Sequence, residues 1–184
     1  MKTVREILIS SLALMVIAGA VTAALAGTNA LTEDTIAART EEIETAARQE
    51  VIQADSFEKA ELSVDGESVV YYVAKTDGEV VGYVFTATAV GKSSGLVVMT
   101  GIGADGTVTG VKITDDEETA GYVDKVVKGG FLEKLTGQTA EREIVLGKDI
   151  DAVSQATKTS NGICKAVNQA IQWYHQVKGG AAGE

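Results

Sequence analysis

Val69-Val70-Tyr71-Tyr72-Val73-Ala74-Lys75-Thr76-Asp77-Gly78-Glu79-Val80-Val81-Gly82-Tyr83-Val84-Phe85-Thr86-Ala87 is the stretch that decides the fold. β-Branched and aromatic residues crowd both sides of an Asp-Gly pair, and such a pair between apolar runs is a strong local signal for a tight hairpin turn. Residues 69–75 and 80–87 therefore read as two antiparallel strands. Working outward, residues 96–100 read as a third strand, and residues 107–114, after a second pair at Asp105-Gly106, as a fourth. The outcome is an antiparallel meander.

Helical segments flank it. Residues 35–54 are rich in Ala, Glu, Arg and Gln with few breakers, so they read as a helix. Residues 121–135 read as helical too, although Gly129-Gly130 weakens the middle. A short strand is expected at residues 143–146. The last helix has the clearest pattern: Ile163, Val167, Ala170, Ile171, Tyr174 and Val177 recur at three- and four-residue spacing and form one apolar stripe. An α+β domain follows, with helices packed on an antiparallel sheet.

Residues 7–32 carry no charged side chain, and roughly 20 apolar residues suffice to cross a bilayer as a helix. Lys2 and Arg5 precede the run and Glu33 and Asp34 follow it, so the positive-inside rule puts the N-terminus in the cytoplasm. Ala24-Leu25-Ala26 resembles a signal-peptidase site, but the apolar run is longer than a signal peptide's core of roughly 7–15 residues. The expected organisation is a single N-terminal transmembrane helix at 1–32, a connecting helix at 33–56 and an extracytoplasmic body at 57–184.

Composition narrows the function. The chain has 184 residues and a formal net charge of −10, which argues against nucleic acid as a partner. Its one cysteine, Cys164, excludes an intrachain disulfide and a thiolate cluster, and its one histidine, His175, leaves an all-protein zinc or haem site short of ligands. Any redox chemistry must therefore come from an organic cofactor.

The informative stretch is Asp151-Ala152-Val153-Ser154-Gln155-Ala156-Thr157-Lys158-Thr159-Ser160-Asn161-Gly162. Taken alone it is a hydroxyl-rich loop opening onto the last helix, where Thr159, Ser160 or Asn161 could cap the first turn. A helix start also favours a phosphate through its unpaired N–H groups and dipole. The run Asp-x-x-Ser-x-Ala-Thr resembles the flavinylation motif of the FMN-binding domain family. The best-known members of that family are the G subunit of the Rnf complex and the C subunit of the sodium-pumping NADH:quinone reductase. The resemblance implies FMN bound covalently through a phosphoester on Thr157, formed by a flavin transferase that uses FAD as donor. Asp151, Ser154 and Ala156 match positions the transferase would read. Gln155 stands where the family usually has glycine.

A second likeness lies upstream. Gly82-Tyr83-Val84-Phe85 and the segment from Gly95 to Gly110 resemble the family's central sheet. They lead into Glu118-Thr119-Ala120-Gly121, where the family commonly has Glu-Thr-Pro-Gly. The resemblance implies ring contacts from Thr119 and Gly121. It also implies a membrane-bound electron-transfer subunit of an Rnf-type ion-translocating ferredoxin:NAD⁺ oxidoreductase, with the other Rnf subunits as partners and no complete active site of its own. The competing readings are a stand-alone anchored flavoprotein for extracellular electron transfer, the C subunit of the quinone reductase, and an anchored binding domain without flavin. Cys164 reads as a packing residue, Trp173 and His175 as surface or packing residues, and Asp115-Asp116-Glu117-Glu118 as a solvated loop.

Overall fold

The computed structural model describes the backbone of residues 2–64, 66–92, 95–118 and 121–181. It describes their side chains apart from residues 2–8, 10, 13, 29–38 and 181. In chain order the elements are α1 (Lys2–Val51), β1 (Ser56–Val64), β2 (Glu67–Thr76), β3 (Glu79–Val90), β4 (Gly95–Gly103), β5 (Val108–Asp116), α2 (Tyr122–Lys128), α3 (Phe131–Leu135) and α4 (Thr157–Ala181). Met1–Glu44 form one compact unit and Thr45–Glu184 a second.

The turn at Asp77-Gly78 has the expected form. Both residues have positive φ, 52° and 83°, and Thr76 pairs with Glu79 across them. That is the backbone of a two-residue primed turn, whose twist matches the strands it joins. All five strands are antiparallel to their neighbours, in the order β1-β2-β3-β4-β5. Four of them answer to the predicted strands, each somewhat longer than its signal. β1 was not anticipated: Ser-Phe-Glu-Lys-Ala-Glu-Leu-Ser-Val mixes charge into its alternation because it is an edge strand with little burial on either face.

Period-2 alternation gives the sheet two apolar faces. On one, Phe85, Leu96, Val98 and Ile102 pack with Val126 of α2, Phe131 and Leu135 of α3, and Ile163, Val167, Ala170 and Ile171 of α4. The stripe predicted on the last helix is thus the side of α4 that meets the sheet. On the other face, Ala74, Val84 and Met99 pack with Ala47, Val51 and Ile52 at the end of α1. Arg48 is buried here, its guanidinium 3.6 Å from the centroid of the Tyr72 ring. Glycines make this seat possible. A Cβ on Gly101 would lie 2.5 Å from the Val51 carbonyl oxygen, and one on Gly110 2.8 Å from both that oxygen and Val51 Cα. The Thr109 hydroxyl donates to the same carbonyl at 2.6 Å.

Two sequence expectations need correction. Residues 121–135 do not form one helix: the chain breaks at Gly129-Gly130, with Gly130 at φ 64°, and continues as α3. Residues 143–146 are not a strand and make only an isolated bridge, Leu146 to Ile150. The backbone of Ile144 is paired all the same, by a side chain rather than a strand. Its N–H donates to Asn168 Oδ1 at 2.8 Å, and its carbonyl accepts from Asn168 Nδ2 at 2.9 Å. The helix expected at 35–54 is present as far as Val51, within α1. As to the expected transmembrane span, no helix among the described residues is long and apolar enough to cross a membrane. Large apolar side chains are nonetheless exposed along α1, among them Leu12, Leu14, Met15, Val16, Ile17, Val21 and Leu25.

Adding a methyl at Gly110 pushes on backbone, which cannot give way as a side chain can. Gly110→Ala should therefore lower the unfolding free energy by about 1–3 kcal/mol, the usual penalty of overpacking. Gly179→Ala, in open space on α4, should leave it unchanged or raise it by up to about 1 kcal/mol. Urea unfolding of the two variants distinguishes them; equal midpoints would refute the glycine seat.

Candidate functional site

The chain enters α4 through a tight turn, Val153-Ser154-Gln155-Ala156, closed by the Ala156 N–H donating to the Val153 carbonyl at 3.0 Å. Gln155 occupies the third position with φ 65°. Turns with positive φ at that position favour glycine, because an L side chain crowds its own carbonyl there. α4 then begins at Thr157, earlier than the expected capping residues. Its first bond at this end runs from the Ser160 N–H to the Ala156 carbonyl at 2.9 Å. Thr159 and Ser160 consequently lie inside the first turn and are buried. Ser160 ties down the entering loop instead, its Oγ accepting from the Val153 N–H at 3.2 Å. The N–H groups of residues 157–159 precede that first bond and point out of the helix end.

Thr157 is exposed and lines a surface cleft of about 260 Å³ together with Lys92, Tyr122, Gln155, Lys158 and Thr159. Ala156, also at the cleft, is buried beneath Thr157. Of the other residues named by the motif, Ser154 stands exposed in the turn, outside the cleft lining, and Asp151 lines a separate depression with Lys134 and Lys148. Gly121 precedes α2 with φ 88° and is the neighbour of Tyr122. Thr119 lies outside the described residues. The structure therefore gathers Ala156, Thr157 and the Gly121–Tyr122 corner, and leaves Asp151 and Ser154 to one side.

Lys92 and Tyr122 were not singled out in the sequence as site residues, and Glu118 entered there only in the Glu118-to-Gly121 likeness and in a solvated run. Lys92, in the turn after β3, places its Nζ 2.5 Å from the Tyr122 hydroxyl and 3.9 Å from the ring centroid. The hydrogen bond from this ammonium, with its charge, holds the Tyr122 phenol below its ordinary pKa. Glu118, expected in a solvated run, is buried, and its Oε1 accepts from the Lys92 backbone N–H at 2.6 Å. Asp115, Asp116 and Glu117 are exposed as expected. The Glu118-to-Gly121 stretch carried the only sequence signal for this corner.

A helix start with unpaired N–H groups, flanked by Lys92 and Lys158 and presenting an exposed hydroxyl, suits a phosphate ester. Among the described residues no group of three or more His, Cys, Asp and Glu is placed to hold a metal ion. Cys164 is buried with its thiol pushed up by desolvation, and its Sγ lies 3.3 Å from the Ile144 carbonyl oxygen, as befits a packing residue. Trp173 packs on Phe85, while His175 is exposed. Both sit about 24 Å or more along α4 from Thr157 at 1.5 Å per residue, so neither belongs to the cleft.

Comparison with known proteins identifies the family. The FMN-binding domain family matches residues 91–172, and the RnfG N-terminal region matches residues 1–51. The chain is 35% identical to the G subunit of the Na⁺-translocating ferredoxin:NAD⁺ oxidoreductase complex of Acetobacterium woodii, covering 90% of each chain. It is 30% identical to the G subunit of the ion-translocating oxidoreductase complex of Methanosarcina acetivorans, over 72% of this chain and 76% of that one. Shewanella oneidensis NqrC shares the fold, with a TM-score of 0.51 at 19% identity over 72% of this chain and 73% of that one.

Gln155 tests the turn. A non-glycine residue in the left-handed region costs roughly 1–2 kcal/mol, partly offset by the extra backbone entropy glycine loses on folding. Gln155→Gly should accordingly stabilise the protein by about 0.5–1 kcal/mol, even though it removes a 3.2 Å bond from Lys125 to the Gln155 side chain. A thermal melt reads this directly. A lower midpoint for the variant would show that the Lys125 bond outweighs the backbone strain.

Proposed function

The chain belongs to the family of G subunits of ion-translocating oxidoreductase complexes, and we propose that it is the FMN-carrying electron-transfer component of an Rnf-type complex, with the cofactor joined by a phosphoester to Thr157. The observation that carries the attachment is differential exposure. Of the two threonine hydroxyls in the cleft lining, Thr157 is exposed at the start of α4 while Thr159 is buried, and Ser160, outside the lining, is spent on the entering loop. Ser154 is exposed but lies outside the lining.

Bound FMN supplies the redox chemistry, accepting and releasing electrons one or two at a time. The chain's own residues position it. α4 is fixed by its buried stripe, so Thr157 Oγ1 sits on a rigid element rather than a mobile loop. The N–H groups of residues 157–159 and the nearby lysines offset the phosphate charge. At about 260 Å³ the cleft is smaller than sites that enclose a drug-sized ligand, roughly 300–1,000 Å³. It suits the phosphate end and leaves the rest of the cofactor open to neighbouring subunits, which is what a relay requires. Gly121, beside Tyr122, is the described residue nearest in sequence to the expected ring contact at Thr119. Asp151 and Ser154, off the cleft and accessible, are free to be read by a flavin transferase.

Localisation is part of the same proposal. The uncharged run 7–32, the exposed apolar side chains of α1, and the Lys2–Arg5 to Glu33–Asp34 charge asymmetry support a single-pass anchor. The N-terminus is cytoplasmic, residues 33–56 connect, and residues 57–184 lie on the extracytoplasmic face of the cell membrane.

Co-expression with a flavin transferase, followed by in-gel flavin fluorescence after denaturation, tests both halves. Thr157→Ala should abolish the signal, Thr157→Ser should keep part of it, and Thr159→Ala should keep nearly all. Protease added to right-side-out vesicles should release the fluorescent body. Fluorescence surviving in Thr157→Ala would move the attachment site, and a body protected from external protease would reverse the topology.

A further inference from the structure

Lys92 comes from the turn after β3, far in sequence from the attachment motif, yet it faces the start of α4. The cause is a contact between two glycines. A Cβ on Gly162 of α4 would lie 2.8 Å from the Val90 carbonyl oxygen and 2.9 Å from Gly91 Cα, so only bare backbone lets the turn rest on the helix. On its other side Gly91 meets the buried Glu118 carboxylate, which also accepts the Lys92 N–H. The backbone of Lys92 is thus held from two sides.

We infer that Lys92 is the positioning cation for the flavin phosphate at Thr157, a role held by a side chain outside the attachment motif. The inference rests on reading the cleft as the flavin site. Its side chain is already pinned, with Nζ on the Tyr122 hydroxyl and over the Tyr122 ring. A pinned ammonium gives up less rotamer entropy on meeting an anion than a free one. Lys158 also lines the cleft, but it extends from the exposed surface of α4's first turn; Lys125 is occupied by Gln155. The lining holds two lysines and no carboxylate, in a chain where acidic residues outnumber basic ones 26 to 16. That local reversal of sign favours an anion where the protein as a whole repels one.

The phosphate is the only charged group that FMN has and riboflavin lacks, so the pair isolates the contact. Full chain in detergent, prepared without transferase, is titrated with each flavin and followed by flavin fluorescence. FMN should bind about tenfold tighter than riboflavin, the scale of one charge-assisted hydrogen bond, and added salt should shrink the gap. Lys92→Met should remove most of FMN's advantage over riboflavin, the remainder coming from the helix N–H groups and Lys158, without changing riboflavin's own affinity, which also reports that the cleft remains folded. Lys92→Arg should keep most of the difference, and Lys59→Met, a charge-matched change on β1, all of it. Equal binding of the two flavins by the unaltered chain, or an FMN advantage as large in Lys92→Met as in the unaltered chain, overturns the inference. Peptide mapping of the flavinylated chain keeps the two claims separate. Attachment away from Thr157 would refute the tether, whereas attachment at Thr157 with an unchanged FMN advantage in Lys92→Met would refute Lys92 alone.

Discussion

The meeting of Gly91 and Gly162 is the contact on which the site depends. A helix laid across a sheet normally stands off by the length of its side chains, about 10 Å between layers. Here the first turns of α4 come down onto the bare backbone of the turn after β3. Everything about the cleft follows from that approach. The turn brings Lys92 with it, Glu118 closes over Gly91 from the other side, and Tyr122 at the head of α2 completes the wall. A methyl at Gly162 would press on the Val90 carbonyl and Gly91 and part the turn from the helix end, whereas one at Gly91 would meet the Glu118 carboxylate instead.

Burial then sorts the hydroxyls chemically. The segment from Ser154 to Ser160 offers four, and composition alone does not rank them. Starting α4 at Thr157 rotates Thr159 and Ser160 toward the sheet, where the apolar stripe from Ile163 to Tyr174 must go, and leaves Thr157 facing out. The same 3.6-residue period that builds the core therefore decides which hydroxyl stays exposed. The turn before it holds its third position, Gln155, at positive φ, a conformation that favours glycine.

Much of this was legible in the sequence because the signals were local. Asp77-Gly78 dictated a hairpin, alternation dictated the central strands, and the stripe on α4 named the face that would be buried. The motif at residues 151–157 marked the entry to α4, where the cleft lies. What escaped was what depends on distant partners. Ile144 looked like a strand residue, but the amide of Asn168 satisfies its backbone. β1 hid its alternation because an edge strand buries little. Lys92 carried no pattern at all, since its role comes from a glycine contact across the fold, and Glu118 looked like one more solvated acid until the turn packed over it. Hydroxyls near a helix start suggested caps at Thr159 to Asn161, but the helix began earlier and drew two of them inside.

The central claim is a covalent bond at one atom. Peptide mass mapping of the chain purified from membranes of cells that contain a flavin transferase tests it most directly. The account predicts that the peptide bearing Thr157 is heavier by one FMN less one water, with fragmentation placing the whole increment on Thr157. An unmodified Thr157 peptide, or the increment on Ser154, would contradict it.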